Sequence, residues 1–301
     1  MNRHWTGNTR VGVSSMKSHA EMVDAVLSYH VDPRTCGVAR FNVLLAERLG
    51  VPMLQLGSPC RYPLISVKPQ EVVDRPFDIY NPQPFDLFLH GPTEASCLTY
   101  ASRIYAANSQ IADAIRRIRP DVIEAFCPAT LGGNPHRAKR HVLVFGMAGK
   151  INNAHGYYTK LKRLLDETGQ GYTVSLSTAI HDGGSVWDKL SSSSQLFAMV
   201  FGTSFRSLGY LADDALAKEL RDCTAAAIFF EPALRVNNTT FWACVDAQVP
   251  VITNLDCHSP VLGFRVHDID KLTAWPTLPR RQPSPHDYTW DHLLRIMSHH
   301  A

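Results

Sequence analysis

One stretch constrains this chain more than any other: Ala225 to Pro260, AAAIFFEPALRVNNTTFWACVDAQVPVITNLDCHSP. It opens on an apolar run of strand length, AAIFF, and passes through a loop that holds Glu231 and the polar run Asn237-Asn238-Thr239-Thr240. A helix over about 240–247 and a second apolar strand, PVITN, are expected next. Two buried strands joined through a helix make a parallel crossover unit, which belongs in an α/β sheet. Ligands of such sheets sit at the carboxyl ends of the strands. A helix that begins at Asn-Asn-Thr-Thr also turns free backbone N–H groups toward an anion. This is the expected ligand-binding turn.

The same alternation recurs upstream. AVLSY is a candidate first strand or the end of a helix starting near Met16. The loop HVDPRTCG then leads into a helix from Gly37, with apolar residues at 38, 41, 44, 45 and 49 and Gly50 as its stop. Short apolar runs follow at PMLQLG, LISV, FDLFLHG, SRIYAAN and PDVIEAF, with one clear helix from Ser109, read as its N-cap, to Ile118. Strands alternating with helices imply a parallel, doubly wound sheet.

The stretch PATLGGNPHRAKR (128–140) breaks the pattern with prolines, paired glycines and basic residues, as an interdomain linker does. The pattern then restarts. HVLVF is a strand, GMAGK a loop, and HGYYTKLKRLLDE a helix with Tyr158, Leu161, Leu164 and Leu165 on one face. YTVSLSTAI is a strand running into His181-Asp182-Gly183-Gly184. After the polar SSSSQ tract come a helix or coil, a candidate strand FRSLGYL and a helix from Ala212 to Leu220. The expected division is an N-terminal Rossmann-like domain over 1–130, a nucleotide-sugar-binding domain over 141–285, and a final helix within 286–301 crossing back to the first domain.

Several of these segments resemble nucleotide-sugar glycosyltransferases of the GT-B fold, and among them the retaining, group 1 type. In that family a strand ends in Glu, a loop and helix follow, and an Ala-x-Gly-x-Pro-Val-Ile segment closes the unit; here the last stands as Ala247-Gln248-Val249-Pro250-Val251-Ile252 after Asp246, with Gln248 at the usual Gly. The family's second Glu, eight positions after the first, falls on Thr239. CGVARFNVLLAERL resembles the family's Gly-Val-Ala-Arg helix, and Tyr288-Thr289-Trp290 its C-terminal tail. The resemblance covers most of residues 25–297. It implies two Rossmann-like α/β domains with parallel sheets facing across a cleft. It also implies metal-independent, retaining transfer of a sugar from a nucleotide diphosphate sugar to a glycan, lipid-linked or other hydroxyl acceptor, with no cofactor.

Such transfer has two electrostatic demands. The leaving diphosphate gains negative charge and needs cations or N–H donors; the sugar gains oxocarbenium character and needs groups that fix its hydroxyls. By the resemblance, Glu231 contacts sugar hydroxyls, and Lys150, after a glycine-containing loop without the family's customary Arg, binds phosphate. Gly37 brings the first helix entrance against the donor. Asn238, Thr239 and Thr240 either present N–H and hydroxyl groups to the diphosphate or simply cap their helix, since both uses share one geometry. His90 ends a strand facing the expected cleft and is a candidate base, because imidazole titrates near neutrality, although most of fourteen histidines in a chain are structural. Glu94 is a second candidate, and His181 with Asp182 is expected to line the nucleotide pocket. Asp268-Ile269-Asp270 has the spacing of a metal-binding Asp-x-Asp but sits late in the chain, where a solvated turn is expected.

Composition narrows the rest. The net charge of +3 permits an anionic ligand without demanding one. No apolar run approaches the roughly 18 residues a membrane span needs, the first residues are polar, and the seven cysteines show no paired spacing. A cytoplasmic protein is expected, with peripheral membrane association left open. Neither a zinc spacing nor a G-x-G-x-x-G or P-loop signature occurs. Two other functions remain: transfer to a nucleic acid through the basic runs at 116–120 and 136–141, and sugar-nucleotide binding or assembly without catalysis on the same scaffold.

Overall fold

The computed structural model describes residues 23–34, 36–68, 84–93, 97–131, 140–147, 153–179, 186–260, 266–278 and 287–299. Its first half runs β1 (Ala25–Ser28), α1 (Gly37–Leu49), β2 (Met53–Gln55), β3 (Pro63–Val67), β4 (Asp86–Leu89), the short α2 (Cys97–Tyr100), β5 (Arg103–Ala106), α3 (Ser109–Arg116) and β6 (Ile123–Glu124). The strands form one sheet in the order β2-β1-β3-β4-β5-β6, every pair parallel. β1, β3 and β4 are buried at every position, as strands covered by helices on both faces must be. α1 stops where predicted: Gly50 takes φ 70°, and its N–H reaches the carbonyls of Ala46 and Glu47.

The second half runs β7 (His141–Met147), α4 (His155–Glu167), β8 (Thr173–Ala179), α5 (Val186–Phe201), β9 (Phe205–Gly209), α6 (Asp213–Asp222), β10 (Ala225–Ala227), α7 (Thr239–Asp246), β11 (Val251–Thr253), β12 (Val266–Asp268) and α8 (Trp290–His299). Its parallel sheet has the order β12-β11-β10-β7-β8-β9. The architecture is thus α/β with two six-stranded parallel sheets. In each sheet the strand order reverses once, between β1 and β3 and between β7 and β10. In open parallel sheets such a reversal point is where a ligand crevice lies, at the carboxyl edge.

Several local expectations are corrected. The serine tract lies inside α5, because Phe197 and Phe201 bury fully against Tyr158 and α4, and that packing outweighs serine's weak helix preference. The N-cap of α3 is Asn108, whose Oδ1 accepts from the Ile111 N–H, so Ser109 is the first helical residue. Of AAIFF only Ala226 and Ala227 lie in a strand, the end of β10 (Ala225–Ala227), before the chain turns into the Glu231 loop, and α7 begins at Thr239. Gln248, at the family's Gly position, is the one non-glycine with positive φ among the described residues, at 59°. The backbone there keeps the left-handed turn that glycine adopts most easily.

α8 buries Leu293 and Met297 in the core of the first half, and Trp290 Nε1 donates to the Ala129 carbonyl at 2.9 Å. Tyr288, just before it, stacks on Trp242 of α7 with centroids 4.5 Å apart. The tail therefore packs on both halves. Among the described residues no helix is long and apolar enough to cross a membrane.

Candidate functional site in the cleft

β10 ends at the switch point of the second sheet, and the loop after it carries Glu231 into solvent. Glu231 Oε2 accepts from Asn153 Nδ2, beside the start of α4, at 3.1 Å. The backbone around Glu231 is held from one side chain. Asn254, 2% exposed, follows β11; its Nδ2 donates to the carbonyls of Phe230 (2.8 Å) and Pro232 (3.0 Å), and its Oδ1 accepts from the Phe230 N–H (2.9 Å). Both neighbours of Glu231 are thereby pinned to the adjacent strand.

Further along the same loop, Arg235 is 5% exposed, and its guanidinium donates to both carboxylate oxygens of Asp256 at 2.8 and 2.7 Å. Its Nε reaches Gln110 of α3 at 2.8 Å, and Asn108 Nδ2 donates to Asn237 Oδ1 at 2.9 Å. These contacts tie the loop to the first half. Asn238 accepts the Arg235 N–H on its Oδ1 and shapes the turn that starts α7. That use leaves its side chain directed at the turn rather than at the α7 N–H groups.

Thr239 and Thr240 at the start of α7 line a cavity of about 130 Å³ together with Gly37 and Cys36 at the start of α1. Arg40 and Asp213 also border it and form an ion pair, and Arg40 Nη2 donates to the Thr130 carbonyl at 2.9 Å. The two halves meet across this cavity. It is smaller than the ~300–1,000 Å³ of ordinary ligand pockets.

His90 stands behind that wall. Its Nε2 lies 3.0 Å from Ser66 Oγ and its Nδ1 3.6 Å from Cys127 Sγ, and its ring packs against Phe41 and Phe88. Loss of hydration there, with the Lys68 charge second, lowers its pKa from 6.5 to about 3. The imidazole is neutral at pH 7. Between pH 6.5 and 3 the unfolded chain binds this proton and the folded one does not, so stability falls as the pH drops through that window. The loss amounts to about 2 kcal/mol by pH 5. Denaturant titrations at pH 7 and pH 5 should show His90→Gln losing less stability on acidification than the wild type by about that amount; equal losses would show that His90 is not the group responsible.

Of the residues singled out from sequence, the structure brings Gly37, Thr239 and Thr240 to one cavity and places Glu231 at the switch point of the same sheet. His90 is half-buried beside α1, with its ring against Phe41. Lys150, His181, Asp182 and Glu94 lie outside the described residues. Asp268 accepts the Asp270 N–H at 3.2 Å and pairs with Lys271 at 3.4 Å, the arrangement of a capped turn. Asn153, Asn254, Arg235 and Arg40 were missed, since their partners are remote in sequence.

One structure similar in shape is AviGT4, a glycosyltransferase involved in avilamycin A biosynthesis. It aligns with a TM-score of 0.51 over 82% of this chain and 85% of that one, at 10% identity. The fold is GT-B. A glycosyltransferase from Rickettsia africae aligns over 79% of this chain and 80% of its own, at 9% identity and a TM-score of 0.49. No protein-family model and no curated protein sequence matches the chain. At such identities the likeness establishes the GT-B architecture and leaves the reaction to be argued from the site.

Proposed function

We propose that this protein transfers a sugar from a nucleotide diphosphate sugar to a hydroxyl acceptor, with retention and without a divalent metal. The observation that carries the reading is the pairing of an anchored carboxylate, Glu231, with the start of α7 on consecutive parts of one switch-point loop. A sugar with developing positive charge beside Glu231 would have its diphosphate near the N–H groups of Thr239 and Thr240, where the first turn of a helix favours an anion. Lys150, three residues after β7 in sequence, supplies the cation in this proposal. Gly37 lets the α1 entrance approach the donor from the other side, and His90, being neutral and engaged at both ring nitrogens, supports α1 rather than moving a proton. Admitting a donor requires the Arg40–Asp213 contact to open, which is a movement of one half against the other. The two domains in this reading are residues 1–130 and 141–285.

The test is a thermal-shift screen against uridine, guanosine and adenosine diphosphate sugars, with and without EDTA. At least one donor should raise the melting temperature, by an amount equivalent to about 2.7 kcal/mol at a hundredfold excess over its Kd, and should do so equally in EDTA. Binding lost in EDTA and restored by manganese would overturn metal independence. No shift with any donor would overturn the donor class. Thr239, standing where the resemblance has a second Glu, favours one other reading, donor binding without transfer, which would show the shift and yield no product.

A further inference from the structure

Three helices begin at the cavity between the halves: α1 at Cys36 and Gly37, α6 at Asp213, and α7 at Thr239 and Thr240. In none of them does the N-cap side chain accept from the helix N–H groups, and each helix start carries partial positive charge. Arg40 adds a full charge. It lies one turn into α1, and its guanidinium is fixed on one side, where Nε and Nη2 both donate to the Thr130 carbonyl at 3.3 and 2.9 Å. Nη1 is the arm that pairs with Asp213. Arg34, which also lines the cavity, is engaged by Asp32 of its own loop at 3.0 and 2.8 Å.

Asp213 is the one carboxylate among the described residues that line this cavity. It comes from the second half, 173 positions along the chain from Arg40. A carboxylate offers a guanidinium the same negative charge and oxygen acceptors that a phosphate group does. Asp213 therefore takes up the arm of Arg40 that suits an anionic group of a ligand. The pair is weakly held: its side chains are 24% and 52% exposed, and ion pairs so exposed contribute little. The Asp213 carboxylate can turn into water at small cost, while the two bonds to Thr130 keep the guanidinium at the cavity.

We infer that Arg40 binds the diphosphate of the nucleotide ligand and that Asp213 competes with that diphosphate for it. The nucleotide rests on the function proposed above; a diphosphate site at Arg40 does not need it. Arg40 brings a cation from the first half to a group that the start of α7 receives from the second. The exchange of partners thereby links binding of the diphosphate to release of a contact between the halves. Two consequences of opposite sign follow: loss of Arg40 weakens binding, and loss of the Asp213 charge strengthens it.

The experiment is isothermal titration of the full chain, in EDTA, with inorganic pyrophosphate and with uridine, guanosine and adenosine diphosphates. At least one of these should bind the wild type or Asp213→Asn. Arg40→Gln should weaken binding roughly tenfold to a hundredfold, as loss of a charge-assisted bond does. Asp213→Asn should tighten it about two- to fivefold, the range for an exposed pair. Asp214→Asn removes the same charge from the same helix turn, outside the cavity lining, and should change binding by less than about 1.5-fold. A carboxylate that merely repelled the ligand would act with or without Arg40. In the Arg40→Gln background, Asp213→Asn should therefore gain less than about 1.5-fold. If Arg40→Gln fails to fold, the contrast between Asp213→Asn and Asp214→Asn decides. No binding of any probe to either protein, equal gains from the two aspartate substitutions, or the same gain with and without Arg40 would overturn the inference. The expected pattern with pyrophosphate, but no melting shift from any nucleotide sugar, would keep the Arg40 site and remove the donor class. A nucleotide-sugar shift indifferent to both Arg40→Gln and Asp213→Asn would keep the donor class and remove the Arg40 site.

Discussion

Glu231→Gln is expected to lower turnover roughly tenfold to a hundredfold while leaving nucleotide-sugar binding near the wild-type level. The Gln amide keeps the size of the side chain and its contact with Asn153 but removes the negative charge. That charge matters most when the sugar flattens and becomes positive, and only interactions stronger in the transition state lower the barrier. One charge-assisted hydrogen bond is worth about 1.5–3 kcal/mol, which sets the expected loss. Single-turnover rates beside donor affinities measure the two effects separately. Wild-type transfer by a folded Glu231→Gln variant would remove Glu231 from the mechanism. An equal loss of affinity and rate would make it a ground-state ligand.

What the sequence revealed and what it withheld follow from how local each signal is. α4 was legible to the residue because Tyr158, Leu161, Leu164 and Leu165 repeat at helical spacing and bury on one face. The strands β3, β4 and β7 were legible as apolar runs, while β1 reads from sequence as either a strand or a helix end, and the alternation gave the parallel sheets. α5 was not, since four serines hide a helix that exists through the packing of Phe197 and Phe201 on a neighbour distant in sequence. The site divides in the same way. Glu231, Thr239 and Thr240 could be picked out from a strand end and a helix start. Nothing local in GVARF or PVITN announces that Arg40 reaches Asp213 or that Asn254 holds the loop at Phe230. His90 shows the converse limit. A strand-terminal histidine reads as a candidate base until Ser66 and Cys127 are seen to engage its two ring nitrogens and two phenylalanine rings to pack on it.

Asn254→Ala should combine the largest loss of stability with a loss of rate, and the two can be told apart. The substitution strips one hydrogen-bonding partner from each of three backbone groups, the Phe230 N–H and the carbonyls of Phe230 and Pro232. Orphaned buried groups cost about 1–3 kcal/mol each when water cannot replace the partner, and Phe230 is only partly buried, so a total of about 2–4 kcal/mol is expected in denaturant titration. The same release frees the peptide groups on either side of Glu231, and a displacement of the order of 1 Å at a reacting centre costs up to about a hundredfold in rate. If Asn254 acts on the reaction only by positioning Glu231, the two effects on rate share one cause and do not add. In the Glu231→Gln background, Asn254→Ala should then cost the same stability as before but less than about threefold further in turnover. Full multiplication of the two rate losses in the double variant would show that Asn254 serves some other part of the site, and an unchanged rate in the single variant would show that the loop keeps Glu231 in place without it.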